Sequence, residues 1–469
     1  MEPQAIERYE YFKRLDAVLG LLVAAMDTGA STPEELSVHM PVLLAPADPY
    51  HASLVGQVQP EAIEAMLKPK NKAGIRAFAV AFKDYIAKIS RLIDEGKPII
   101  GIFPTIPSEI LLSMDTAAYG MEIFTLLMAP IFINGAEKEL DDTETDGIPS
   151  HVCAFQKGVY KAIEWGGLPK PILFIKGSAP CDSSNMTMQY ASDKMGVPLH
   201  VVDSPYYTDQ RAFSYYVDEM KRMVEAVERL TRHSIDEDAL RQHVEYSNRQ
   251  LKYYYQLQEI RKNKPNPDPG MHRPLDTASL YLAGSTDKFG DYVKVLYEEA
   301  LARHEKKETF LPEGKQEIRT LWTGSFVPYM LYLADWLEDQ FGSTFLTCSL
   351  TNLPGEVVGL VDTKSTETMI EGLAWRSFNL PMHRNVMSFT DLHVNDMLTA
   401  ARVYAADAAI FSGNSSCKHA WTLPKIMGDV LLEKYGVPSL QMEVDWLDKR
   451  FTPPQTVKNA ISEFLRLLV

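Results

Sequence analysis

The chain has 469 residues, a formal net charge of −15, 46% hydrophobic and 23% charged residues. That length suits roughly three domains of about 150 residues each, with enough apolar side chains for a sizeable core. An acidic chain with no long Lys/Arg run is a poor nucleic-acid binder, because that affinity rests on neutralising phosphates; a small anion remains open to it where a few cations or helix N-termini converge.

The N-terminal MEPQAIERYEYF lacks the basic-then-apolar order of a signal peptide. The longest apolar run, Leu19 to Met26, is far short of the roughly 20 residues a membrane helix needs and reads as a core helix. A cytoplasmic protein with no membrane partner is expected. Residues 1–95 form a mainly helical region, with an apolar stripe at helical spacing over 77–96 and Gly96 as its C-cap.

At Pro98 the pattern changes. Short apolar runs at 98–104, 130–134, 171–177 and 198–203 read as strands, with helical stretches between them and a helix start at 107–114. Strands alternating with helices predict a parallel sheet built from right-handed crossovers, here over residues 96–208. Over 209–312 strand signals give way to long amphipathic helices at 211–233 and 236–263 and a Pro-rich loop at 263–274. Over 313–469 the strand runs return at 318–324, 343–350, 407–413 and 438–445, alternating with helices near 326–340, 391–404, 420–434 and 455–468. The expectation is two α/β units flanking a helical insert, the two units being distant copies of one design.

Four cysteines occur, Cys153, Cys181, Cys348 and Cys417, far too few for a secreted disulfide framework. Open α/β sheets bind ligands beyond the carboxyl ends of their strands. Cys181 follows the run 171–177 in GSAPCDSS, and Cys417 follows 407–413 in GNSSCKHAW. Both fall near helix starts, where backbone N–H groups favour a thiolate. Cys153, in PSHVCAFQKG, falls at a further helix start, with Ser150 or His151 near the cap. Cys348 lies inside STFLTCSL and reads as core. With no CxxC pair, spacing alone leaves the other three between small buried residues and metal ligands. Three thiolates suit iron–sulfur chemistry and leave one iron with an open position.

Other chemistries lack their patterns. No G-x-G-x-x-G follows a strand and no GxxxxGK[ST] occurs, so neither dinucleotide binding nor ATP hydrolysis by this chain is expected. HExxH and GxSxG are absent. Cys417 and His419 are two apart, and such residues do not face each other on a helix.

GSAPCDSSNMTMQYASDKMGVPLHVVDSPYYTD (177–209) resembles the central block of the 2-hydroxyacyl-CoA dehydratase and benzoyl-CoA reductase family, through Cys181, Gly196, Pro198, Asp203 and Pro205. The stretch 413–468 is similar to the family's C-terminal block: an N-x-S-C run, a G-V-P strand, Glu443 and Asp445, and a final helix. PSHVCAFQKG resembles its first cysteine block through Cys153, Phe155 and Lys157, and PTIPSEILLSM its P-x-E block through Glu109. The resemblance runs from about residue 95 to the end. The opening 95 residues and the region 324–390 match less well, and Lys157 stands where the family often has arginine.

The resemblance implies two flavodoxin-like parallel-sheet domains flanking a [4Fe-4S] cluster held by Cys153, Cys181 and Cys417. It implies a heterodimer with a homologous second subunit, a separate ATP-hydrolysing iron–sulfur activator protein that delivers one low-potential electron, and a CoA thioester substrate. The implied reaction is the dehydration of an (R)-2-hydroxyacyl-CoA through a ketyl radical, which makes the otherwise non-acidic β proton removable. The alternatives are a subunit of an ATP-dependent benzoyl-CoA-type reductase, towards which VDWLDKRFTPPQTVKN leans, and an electron-relay subunit whose partner binds the CoA ester. NSSCK leans to the dehydratases. Beside the cysteines, Glu109 is a candidate base or a structural cap. His151 and His419 are candidate proton shuttles or hydrogen-bond donors to cluster sulfurs. Ser415 and Ser416 either donate to the cluster or cap a helix, Lys418 either senses the cluster's charge or is solvated, and Glu443 and Asp445 read as a strand-end turn.

Overall fold

The computed structural model describes residues 3–29, 31–44, 59–122, 137–164, 166–324, 326–388 and 391–468. The strand read at 130–134 lies outside the described residues. Helices Pro3–Thr28, Pro33–Leu44, Pro60–Leu67 and Pro69–Asp94 make up the opening region. The first carries the apolar run noted above, with Leu22, Ala25 and Met26 buried. No described helix is long and apolar enough to cross a membrane.

The described strands form two four-stranded sheets. The first contains β1 (Ile99–Ile102), β2 (Ala117–Gly120), β3 (Leu173–Gly177) and β4 (Leu199–Val202). The second contains β5 (Ile318–Gly324), β6 (Ser343–Cys348), β7 (Ala408–Asn414) and β8 (Ser439–Val444). Every pairing is parallel, and the orders are β2-β1-β3-β4 and β6-β5-β7-β8. The two sheets thus repeat one topology, as two flavodoxin-like units should. In each, the chain reverses its direction of travel between the first and third strands, the switch point where open sheets leave a crevice.

Several elements differ from the sequence reading for identifiable reasons. β2 was not foreseen: Ala-Ala-Tyr-Gly lacks the β-branched residues that mark strands, and its full burial between neighbours decides the matter instead. The helix expected over 326–340 starts only at Leu333, because Pro328 cannot continue a helix interior. The helix expected over 420–434 is two, Lys418–Trp421 and Pro424–Tyr435, with Pro424 opening the second at its first position. The Pro-rich loop ends earlier than expected, in a helix Arg273–Tyr281.

Between β4 and β5 the described residues are helical, with Asp209 and Asp236 capping the two long helices by accepting from the N–H groups of Ala212 and Ala239 at 2.8 and 2.9 Å. The insert is held together by buried charge and tied to the second sheet through Arg273. Arg261 donates to Asp268 at 2.8 Å and to Asp276 at 2.7 Å. Arg273 pairs with both carboxylates and also donates to the Phe345 carbonyl of β6 at 3.1 Å. His272 Nδ1 lies 2.7 Å from Asp268. Two guanidiniums and two carboxylates balance, which is what lets them stay buried. Asp268→Ala leaves both guanidiniums short of a partner and is expected to cost roughly 3–5 kcal/mol. Urea unfolding measures this, and an unchanged midpoint would contradict the structural role.

Candidate functional site

A cavity of about 180 Å³ lies between the two sheets, lined by residues that follow strand after strand. Phe103 and Pro104 follow β1, Gly120 and Glu122 end and follow β2, and Pro180 and Cys181 follow β3. From the other sheet come Gly324 at the end of β5, Ser349 and Leu350 after β6, Cys417, His419 and Ala420 after β7, and Trp446 after β8. Both sheets therefore aim their carboxyl ends at one cavity. The helix Arg273–Tyr281 of the insert adds Thr277, Ala278 and Tyr281. Most of the wall is apolar, with Phe155 set edge-on to Trp446 at a ring separation of 6.0 Å.

Cys153, Cys181 and Cys417 all line this cavity. Each stands immediately before a helix: Ala154–Glu164, Asp182–Met195 and Lys418–Trp421. Cys181 caps its helix by accepting the Ser184 N–H at 3.3 Å. The Cys153 carbonyl takes the Gln156 and Lys157 N–H groups, so Cys153 occupies the cap itself, with His151 and Ser150 two and three residues before it. Two contacts knit the cysteines' segments together. The Cys153 N–H donates to Ser183 Oγ at 3.3 Å, and Asn414 Nδ2 donates to Cys153 Sγ at 3.6 Å. Gly413 of β7 lets the Trp421 ring close over the strand end, where any Cβ would collide with it.

Burial dominates the electrostatics. It pushes the Cys153 thiol well above its ordinary range, and the nearby Cys181 and Cys417 push it further. The Cys181 thiol is pushed up to about 12 by burial and then by Glu122 and Cys417. Burial also raises Cys417, against backbone N–H groups of Ala420 and His419 that pull it down. Among the described residues, no three His, Cys, Asp or Glu side chains are close enough to hold a single metal ion.

The other sequence candidates scatter. His419 lines the cavity, and its Nε2 has no hydrogen-bond partner among the described residues. His151 is exposed and not among the cavity-lining residues. Ser415 is half-buried off the lining, with its N–H on the Val444 carbonyl at 2.8 Å, and Ser416 hydrogen-bonds Asn414 at 3.3 Å. Lys418 is exposed, 3.7 Å from Asp182. Lys157 is tied to Glu144 at 2.7 Å. Glu109 is buried and paired with Arg376, beside a small adjoining pocket rather than on the main cavity. Asp445 accepts the N–H groups of Leu447 and Asp448 at 2.8 Å, a strand-end turn, while Glu443 is exposed in β8. Cys348 is buried at the end of β6 with its sulfur 3.3 Å from Thr351 Oγ1, off the cavity.

Three polar groups of this region escaped the sequence reading. Glu122 lines the cavity, hydrogen-bonded by Gln156, and burial pushes its carboxyl up to about 7. Lys176 is buried in β3 against Asn185, and burial brings it down to about 8. His393, on the helix Asp391–Val403, also reaches the wall. Glu122 had a usable signal, since it follows a strand end, but that strand was the one missed.

The fold and cavity define a class: paired parallel-sheet α/β proteins with a thiol-lined ligand cavity at the carboxyl ends of both sheets. Within it, the chain belongs to the family described as 2-hydroxyglutaryl-CoA dehydratase, D-component, whose model matches residues 105–468. The alpha subunit of lactoyl-CoA dehydratase from Anaerotignum propionicum is 20% identical over 301 residues, covering 61% of this chain and 67% of the relative. The cysteine blocks thus pointed to the right family.

A carboxyl raised to about 7 in the fold and near 4.3 when unfolded contributes stability at acid pH that is lost as pH rises through 7. Glu122→Gln should therefore flatten the decline of unfolding free energy between pH 5 and 8, by about 1–2 kcal/mol once the cavity's access to water is allowed for. Equal pH slopes for the two proteins would refute it.

Proposed function

We propose that this chain is the cluster-bearing subunit of an ATP-activated (R)-2-hydroxyacyl-CoA dehydratase, with Cys153, Cys181 and Cys417 holding a [4Fe-4S] cluster. The observation that carries the reading is the presence of three thiols, one buried and two half-buried, on one cavity wall. Their donor chemistry fits the group. Three thiolates in an apolar cavity need a soft, positively charged partner, and in a cubane each thiolate binds a different iron, so the sulfurs need not converge on one ion. When bound, such a cluster supplies one-electron transfer and an open iron as Lewis acid.

The chain's own residues do the rest. Phe103, Phe155, Tyr281 and Trp446 keep the cavity apolar and exclude water. Glu122, held by Gln156, is a carboxyl poised near neutrality and suited to take a proton from a bound acyl chain. His419 offers an unpartnered Nε2 beside Cys417. Glu109 serves structure, pinning the segment after β1 to Arg376. Electrons reach the site from a separate ATP-hydrolysing activator, and a homologous subunit completes the complex.

Two features bear on the alternatives. The aromatic lining would also accept an aryl ring, which favours assaying benzoyl-CoA-type reduction alongside dehydration. The described lining carries no lysine or arginine; in the relay reading the partner subunit holds the CoA ester.

Anaerobic purification with iron and sulfide analysis tests the cluster. About four irons per chain are expected, largely lost in Cys153→Ala, Cys181→Ala or Cys417→Ala and kept in Cys348→Ala. Activity of the holo-complex with its activator on 2-hydroxyacyl-CoA, and none on benzoyl-CoA, would select dehydratase. Iron retained in all three ligand variants would remove the reading.

A further inference from the structure

His393 stands in the first turn of the helix Asp391–Val403 and is only 8% exposed. It lines the cavity, and its Nε2 has no hydrogen-bond partner among the described residues. An orphaned buried nitrogen of this kind costs about 1–3 kcal/mol, and such groups persist where a ligand satisfies them. Nearby polar groups are already committed. Asn385 Nδ2 donates to the Ser349 carbonyl at 2.9 Å, and the Ser349 hydroxyl bridges the N–H and C=O of Gly324 at 2.8 and 3.0 Å. His419 also has a free Nε2, but it is only half-buried and sits two residues from Cys417.

Burial holds the His393 imidazole neutral, with its pKa lowered to about 4. A neutral Nε2 is a donor in one tautomer and an acceptor in the other. A hydroxyl satisfies both, whereas a carbonyl satisfies one and a hydrocarbon chain neither.

We propose that His393 is a specificity residue whose Nε2 hydrogen-bonds the 2-hydroxyl of a bound 2-hydroxyacyl thioester, so that the cavity favours hydroxylated acyl chains over plain ones. This rests on the cavity being the acyl-thioester site proposed above. It also gives that site a reason to reject unsubstituted acyl thioesters: a ligand without the hydroxyl leaves a buried nitrogen unpaired.

The test is equilibrium binding, without activator or reductant, of 2-hydroxybutyryl-CoA and butyryl-CoA to the anaerobic holo-complex. The wild type should prefer the hydroxylated ligand by about tenfold, the discrimination expected of one buried hydrogen bond. His393→Ala should bring the two within about twofold by weakening the hydroxylated ligand alone. His393→Gln, which keeps a donor and an acceptor, should retain part of the preference. Iron content and unfolding temperature of both variants report folding, and the Gln variant decides should the Ala variant fail to fold. A wild-type complex that binds both ligands equally, or a His393→Ala ratio unchanged from wild type, overturns the inference while the dehydratase reading stands. A wild-type complex that binds neither overturns both.

Discussion

Three thiols that share a mainly apolar cavity are a problem the fold has to solve. Burial alone raises each of them, and Cys153 is raised further by the other two. As thiols they are weak hydrogen-bonding groups in an apolar setting and cost little. As thiolates they would repel one another and lack water. The local relief is modest: the Ser184 N–H on Cys181, the Asn414 amide on Cys153, and the Ala420 and His419 N–H groups that pull Cys417 down. Lys176 is near Cys181, yet its burial inside β3 favours loss of its own charge. The arrangement is thus consistent with neutral thiols or, as proposed above, with thiolates bound to a cation.

What brings the thiols together is the repetition of one topology. Cys181 follows β3 and Cys417 follows β7, the third strands of two sheets with the same order. Each therefore sits beside the switch point of its own sheet. Cys153 has no counterpart in the second unit, and it meets the others only because the helix it caps runs into β3.

Much of this was legible beforehand. Apolar runs of seven or eight residues marked β3, β5, β6 and β7, and the positions of Cys181 and Cys417 beyond strand ends could be read from those runs. Cys348 could be set aside because it fell inside one. The rest was illegible for physical reasons. β2 is Ala-Ala-Tyr-Gly, whose strand character comes from neighbours rather than from propensity, and Glu122 vanished with it. Glu109 looked like a site residue because its motif did, but its partner Arg376 lies 267 residues further on, and no local pattern announces such a pair. His393 lies in a stretch with no motif, and only burial without a partner singles it out.

The helical insert is the least expected contributor to the cavity, and it shows how the wall is kept in place. The helix Arg273–Tyr281 begins in the buried Arg261–Asp268–Arg273–Asp276 network and ends at Tyr281, whose hydroxyl accepts the Met382 N–H at 3.0 Å. A hydrophobic anchor would hold the helix against the sheet but leave it free to slide. The paired charges fix the helix against the end of the preceding long helix, because a shift of a turn would strand a guanidinium or a carboxylate in the interior, and Arg273 ties it to the Phe345 carbonyl of β6. Tyr281, Thr277 and Ala278 are thereby fixed against a wall that also holds Met382, Asn385 and His393. The discrimination proposed for His393 would depend on that rigidity, since a hydrogen bond that the wall can relax away from confers no selectivity.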